Sequence, residues 1–111
     1  MNKLVTYRNF ILKIIHEYSQ YKPSYGDVSM EKIIDPVRDH YQLMFLGWNK
    51  QQRIHGCIMH INIRNDKIWI QHDGIEAGVA NLLVEMGVPK TDIVLAYQSP
   101  FKRRYTEFAV G

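Results

Sequence analysis

Residues 41–48 are apolar or aromatic at both alternations of an extended chain: Tyr41, Leu43 and Phe45 on one parity, Met44, Leu46 and Trp48 on the other. Side chains of a strand alternate between the two faces of its sheet, so a strand of this kind sheds water only if both faces are covered. Two amphipathic helices in the sequence can cover one face. The other falls to the C-terminal segment, to a second copy of the chain, or to a different protein.

The helices are read from their stripes. Leu4, Tyr7, Ile11, Ile14, Ile15 and Tyr18 recur at three- and four-residue steps, which predicts a helix over 3–21. Pro23 disfavours helical geometry at Lys22, and Pro23-Ser24-Tyr25-Gly26-Asp27 has turn composition. Asp73 and Glu76 have the spacing of a capping box and predict a second helix start, followed by the stripe Ile75, Val79, Leu82, Leu83 and Met86; Gly87 and Pro89 close it. Between the helices, 28–34, 41–48, 53–63 and 67–72 read as strands, and 93–97 as a short fifth. The expectation is an α+β fold: an antiparallel meander sheet of four to five strands, with an N-terminal helix and a second helix after strand four.

Asn65-Asp66 is the clearest turn, because both residues tolerate positive φ and the flanks alternate. It sets Ile63 opposite Ile68, Asn62 opposite Trp69, Ile61 opposite Ile70, His60 opposite Gln71 and Met59 opposite His72. A loop at 49–52 sets Phe45 opposite Gly56 and Tyr41 opposite His60. Tyr41, His60, Gln71 and Asp73 would then line a polar, aromatic groove suited to a small molecule or an enzymatic site.

With 111 residues, 14 Lys+Arg and 11 Asp+Glu, the chain carries a formal charge of +3, which permits contact with nucleic acid without demanding it. The single Cys57 excludes an internal disulfide and any multi-cysteine zinc site, in keeping with a reducing, cytoplasmic setting. No apolar run approaches the roughly 18 residues needed to cross a bilayer, and residues 1–21 lack the apolar core and cleavage site of a signal peptide. No membrane partner is expected.

Candidate chemistry is sparse. His55 and His60 are an odd number of residues apart and are expected on opposite faces, as are His72 and Asp73, so these and His40 read as hydrogen-bonded histidines rather than as metal ligands. Cys57 is expected on the face of Met59 and Ile61, where burial raises a thiol's pKa. Asp35 and Asp39 flank Pro36 in a turn, and Asp73 suits a helix cap. No nucleophile, histidine and acid set, phosphate loop or metalloprotease motif can be traced, so no catalytic residue, metal or cofactor is expected. Lys102, Arg103 and Arg104, among Tyr97, Phe101 and Tyr105, form the one basic and aromatic patch; it reads either as a solvated turn or as a contact for phosphates or an acidic partner.

Ordered blocks run through nearly the whole chain: Asp39-His40-Tyr41-Gln42-Leu43, Gly47-Trp48, Arg53-Ile54-His55-Gly56, His60, Lys67-Ile68-Trp69-Ile70-Gln71, Asp73-Gly74 with Glu76, Gly87-Val88-Pro89-Lys90, Asp92-Ile93-Val94-Leu95 and Phe108-Ala109-Val110. In these the chain resembles the XisI family, the fdxN-element excision controlling factors of cyanobacteria, as one XisI-like domain over 1–111. Ile75 stands where the family usually has Thr after Asp-Gly, and Asp66 where Gly often precedes Lys67, which leaves Asp73 and Glu76 as a cap. The resemblance implies a non-enzymatic accessory protein that works with a companion, XisH, and a recombinase. XisH itself resembles restriction-type nucleases, so the cutting would belong to partners. The expected partner-binding residues are Tyr41, Leu43, Phe45, His60, Trp69 and Gln71 on the second sheet face, with Lys102, Arg103 and Arg104 as the nucleic-acid contact, reached in the complex with the XisH-like protein.

Overall fold

The computed structural model describes residues 2–24 and 26–111; Tyr25, in the middle of the expected 23–27 turn, lies outside them. Helix α1 (Lys3–Ser19) starts where the Asn2 side chain accepts the Leu4 N–H at 2.8 Å and ends at Gln20, three residues before Pro23. Its stripe buries Tyr7, Ile11, Ile14 and Ile15 against the sheet. Each such aliphatic side chain contributes about 1.5–3 kcal/mol on leaving water.

Strands β1 (Asp27–Asp35), β2 (His40–Asn49), β3 (Gln52–Arg64) and β4 (Lys67–Asp73) are antiparallel neighbours in that order. β5 (Ile93–Leu95) completes the sheet beside β4 and runs parallel to it. A parallel neighbour needs a crossover. Helix α2 (Val79–Glu85) and a single 3-10 turn at Lys90–Asp92 supply it. A four-residue helix, α3 (Pro100–Arg103), follows, and the tail returns to β5 through the Ala109 N–H, which donates to the Ile93 carbonyl at 2.8 Å. The expected α+β meander is therefore present, with a parallel fifth strand.

The second helix starts later than its capping-box spacing suggests. The Gly74 N–H donates to the Ile58 carbonyl at 2.7 Å, which holds the chain to the sheet just past Asp73. Gly78, at φ 86°, then turns it into α2. Asp73 still caps, from a distance: its carboxylate accepts the Ile75 N–H at 3.3 Å and the Val79 N–H at 2.8 Å. Glu76 lies exposed in the intervening turn and takes no part.

The two turns flanking β3 are centred where expected, the loop at 49–52 narrowing to two residues because Asn49 pairs with Gln52. Asn65 and Asp66 have φ 53° and 61°, the pair of positive values a two-residue hairpin requires, and the first hairpin closes through Lys50 and Gln51. Phe45 faces Gly56, Asn62 faces Trp69, and Ile61 and Ile63 face Ile70 and Ile68. Two β-bulges change the rest. The β2 and β3 register shifts between Leu43↔Met59 and Met44↔Cys57, leaving Ile58 without an opposite residue; that of β3 and β4 shifts between Ile61↔Ile70 and His60↔His72, leaving out Gln71. Tyr41 therefore lies opposite Ile61, not His60; His60 opposite His72, not Gln71; and Met59 opposite Asp73, not His72. The first bulge lets Ile58 and Met59 both pack toward the helices. It also moves Cys57 off the face of Met59 and puts His55 on the same face as His60, against the expectation from simple alternation.

The turn from β1 to β2 pins α1 in place. Asp35 accepts the Val37 and Arg38 N–H groups at 3.1 and 3.0 Å. Asp39, at φ 58°, accepts from Arg8 Nε and Nη2 at 2.7 and 2.9 Å and from the Tyr41 hydroxyl at 2.8 Å. The Arg8 hydrogen bonds hold the Asp39 carboxyl below its usual range against the opposing effect of burial, with help from Tyr41. Burial, then the bond to Asp39, pushes the Tyr41 hydroxyl up to about 12. A carboxyl depressed in the folded state contributes stability that is fully present above its unfolded pKa of about 3.9 and is lost as the pH falls through the folded value. Acid unfolding of Asp39→Asn, followed by circular dichroism between about pH 5 and pH 2, should accordingly show a shallower loss of stability than the parent chain, from a lower starting value at neutral pH.

Candidate functional site

α1 and α2 cover one face of the sheet. Tyr41, Leu43, Met59, Ile61, Ile63, Ile68 and Ile70 point into that layer, all less than a tenth exposed. The alternate residues make the outer face. Reading across the strands by register, it carries Asp35, His40, Asn62, Trp69 and Val94 in one row, Ile33, Gln42, His60 and His72 in the next, then Glu31, Met44 and Cys57, then Ser29, Leu46 and His55, and last Asp27, Trp48 and Arg53.

The C-terminal segment covers only one end of this face. Val94 is fully buried beside Trp69, and Arg103 stacks over the Trp69 ring at 5.6 Å with Arg64 over it at 5.3 Å. Arg103 also donates to four backbone carbonyls: Nε to Gln98 at 3.0 Å and Leu95 at 3.3 Å, Nη2 to Ala96 at 3.2 Å, Nη1 to Val110 at 3.4 Å. Its guanidinium is thus a clamp for the tail, whereas Lys102 and Arg104 are exposed. Arg103→Lys keeps the charge but not the planar fork of donors, so it should lower stability by about 1–3 kcal/mol in urea unfolding, while Arg104→Lys should stay within about 0.5 kcal/mol of the parent.

Away from that end, over β1, β2 and the first half of β3, the outer face meets solvent. Ile33 is 47% and Trp48 51% exposed, and Met44, Leu46 and Cys57 are half-buried around them. Arg53 rests over Trp48 at 5.4 Å, at the rim. Burial pushes the Cys57 thiol up, which favours the uncharged thiol, a small and nearly apolar side chain here. Between this apolar field and the covered end is a polar band. His40 Nδ1 and His60 Nε2 are 2.9 Å apart, and Gln71 Nε2 donates to Asn62 Oδ1 at 2.9 Å. Burial, then the neighbouring His40 and His72, pulls the His60 pKa down and favours the neutral ring. Among the described residues no group of three His, Cys, Asp or Glu is placed to hold a metal ion.

The six expected partner-binding residues divide between the faces. His60, Trp69 and Gln71 lie on the outer face, Trp69 beneath the tail. Tyr41 and Leu43 are core residues, 1% and 0% exposed, and Phe45 shares their face with its ring over Gly56. The groove expected from Tyr41, His60, Gln71 and Asp73 does not form: Tyr41 turns its hydroxyl to Asp39 on the helix side, His60 and Gln71 point away from it, and the Asp73 carboxylate is taken by two backbone amides. Sequence reasoning missed Ile33, Met44, Leu46 and Trp48 as the outer field. The parity of β1 marks it, since Val28 and Met30 alternate with Ser29 and Glu31 and so assign the even positions to the covered side.

The family model of the XisI protein matches residues 1–110. The chain belongs to the XisI family. Among solved structures, it resembles a XisI-like protein from Anabaena variabilis ATCC 29413, at 41% identity over 97% of this chain and 99% of that one, with a TM-score of 0.91. It also resembles the fdxN element excision controlling factor XisI of the same organism, at 35% identity over 99% of this chain and all of that one, with a TM-score of 0.86. No curated protein matches the chain. No helix of this XisI member, among the described residues, is long and apolar enough to cross a membrane.

Proposed function

We propose that this chain is a non-catalytic controlling factor for the excision of a DNA element, and that it acts by docking an XisH-like protein on the outer sheet face. The observation that carries the docking is the apolar field of Ile33, Met44, Leu46 and Trp48, which the chain's own helices and tail leave uncovered. Its make-up is that of a docking surface: aliphatic and aromatic side chains at the centre, Arg53 and the β1 carboxylates at the rim. The name of the Anabaena relative supports the excision role. DNA in the assembly would meet the exposed Lys102 and Arg104. Nuclease chemistry belongs to the XisH-like partner, because the polar side chains here do not converge on a reacting position.

Co-expression of the chain with an XisH-like protein and isolation of the complex tests this. A stoichiometric complex, lost on substitution within the outer field, is the expected result. A purified chain that is dimeric by light scattering, with a monomeric Leu46→Asp variant that still captures the XisH-like protein, would show that a second copy covers the face instead.

A further inference from the structure

We propose that the aromatic and arginine cluster around α3 is a binding site for single-stranded nucleic acid, with unpaired bases stacking on Phe101 and Tyr105 and phosphates meeting Lys102 and Arg104. The inference rests on the nucleic-acid contact in the proposed function, narrows it to unpaired strands, and is independent of partner docking.

The rings come first. Phe101 is 61% and Tyr105 74% exposed, with centroids 5.4 Å apart and planes at 62°. The Arg104 guanidinium lies 4.9 Å from the first centroid and 5.9 Å from the second. Two large rings left adjacent in water, with a cation over them, keep most of their surface exposed beside positive charge. Stacked bases and phosphates need that combination.

The platform is held rigidly. Ser99 caps α3 by accepting the Lys102 N–H at 3.2 Å, and the Arg103 clamp ties the segment to the carbonyls of Leu95, Ala96, Gln98 and Val110. Thr106 Oγ1 donates to the Arg103 carbonyl at 2.9 Å and accepts the Phe108 N–H at 3.2 Å. A ligand therefore meets a prepared surface and does not have to order a mobile loop.

The charge has the right sign. Neither Lys102 nor Arg104 has a carboxylate partner among the described residues, whereas the nearby Glu107 is engaged by Lys90 at 2.6 Å. Arg64 and Arg103, both over the Trp69 ring, extend the cationic surface toward β4. A duplex keeps the faces of its bases inside its own stack and would meet only these few cations, which neutralise too few phosphates for firm binding. A single strand uses both the cations and the rings.

The test is fluorescence anisotropy of the full chain with labelled oligo-dT and oligo-rU of about 20 nucleotides and a duplex of equal length, at about 50 mM salt. At least one single strand should bind about tenfold or more tighter than the duplex. The double variant Phe101→Ala, Tyr105→Ala should weaken that binding by about tenfold to a hundredfold and leave duplex binding and thermal unfolding unchanged, since both rings stand in solvent. Equal affinity for single strand and duplex, or full retention of affinity by the double variant, would overturn the inference while leaving the cationic contact of the proposed function standing. Loss of XisH-like partner capture in the double variant, with no strand binding by the parent, would overturn it in favour of a protein contact.

Discussion

Leu46→Asp is expected to leave the fold standing and to weaken capture of an XisH-like protein by about a hundredfold or more. Leu46 pairs with Ser29 on one side and His55 on the other, and all three point outward from the helices. In the free chain a carboxylate at this half-buried position stays at the edge of water, so thermal unfolding should move by no more than the equivalent of about 1 kcal/mol. In the complex the same carboxylate would have to be desolvated under an apolar partner, a loss of several kcal/mol. Arg53→Ala, at the rim over Trp48, removes charge without burying any and should change capture only a few-fold. Titration calorimetry of the purified chain against an XisH-like protein reads both variants. Parent-like affinity in Leu46→Asp would move the dock off this face.

Much of the architecture was legible because local chemistry dictated it. The α1 stripe, the stop before Pro23 and the Asn65-Asp66 hairpin each depend on residues within a few positions of one another, and each forms as read. The direction of β5 was less accessible: Ile93, Val94 and Leu95 announce a strand, but its neighbour is fixed by the length and path of the crossover. The bulges had no local marker. Ile58 and Gln71 are ordinary strand residues, and each becomes the extra one only because pairing on its two sides is set separately, by a turn at one end and by core packing at the other. The consequence is large, since one unpaired residue reverses the face of everything from Arg53 to Cys57 relative to Met59.

The candidate site was harder to read for a related reason. β2 is apolar on both parities, so nothing in that strand says which side the helices take. The choice is made elsewhere, where Arg8 reaches Asp39 and where Val28 and Met30 turn the even positions of β1 toward the core. The two-faced composition of β2 thus corresponds to a helix-covered face and an outer face that still meets solvent at Ile33 and Trp48, while the odd residues Tyr41, Leu43 and Phe45, expected on the second face, lie on the helix side. Arg103 shows the same limit. A basic triplet in a sequence suggests three equivalent contacts, yet folding uses the middle guanidinium to satisfy four carbonyls and leaves its two neighbours in solvent.

The face assignment can be measured within β2 itself. Leu43→Ala should lower stability by about 3–5 kcal/mol, and Leu46→Ala by less than about 1 kcal/mol. Leu43 is 0% exposed, lies between Lys32 and Met59 in the register, and packs in the cluster built on Ile11, Ile14 and Ile15, so truncation leaves a cavity that flanking strands cannot close without breaking their own pairing. Leu46 already meets solvent, and its truncation removes area but opens no cavity. Urea unfolding of both variants against the parent gives the comparison, with equal slopes required for it to be read as stability. Equal losses would mean that the outer face is buried as deeply as the inner one, and the argument for a docking partner would fail with it. If the losses differ as expected, Leu43→Ala should retain parent-like capture of an XisH-like protein once corrected for its folded fraction, because the cavity lies on the side of the sheet opposite the proposed dock.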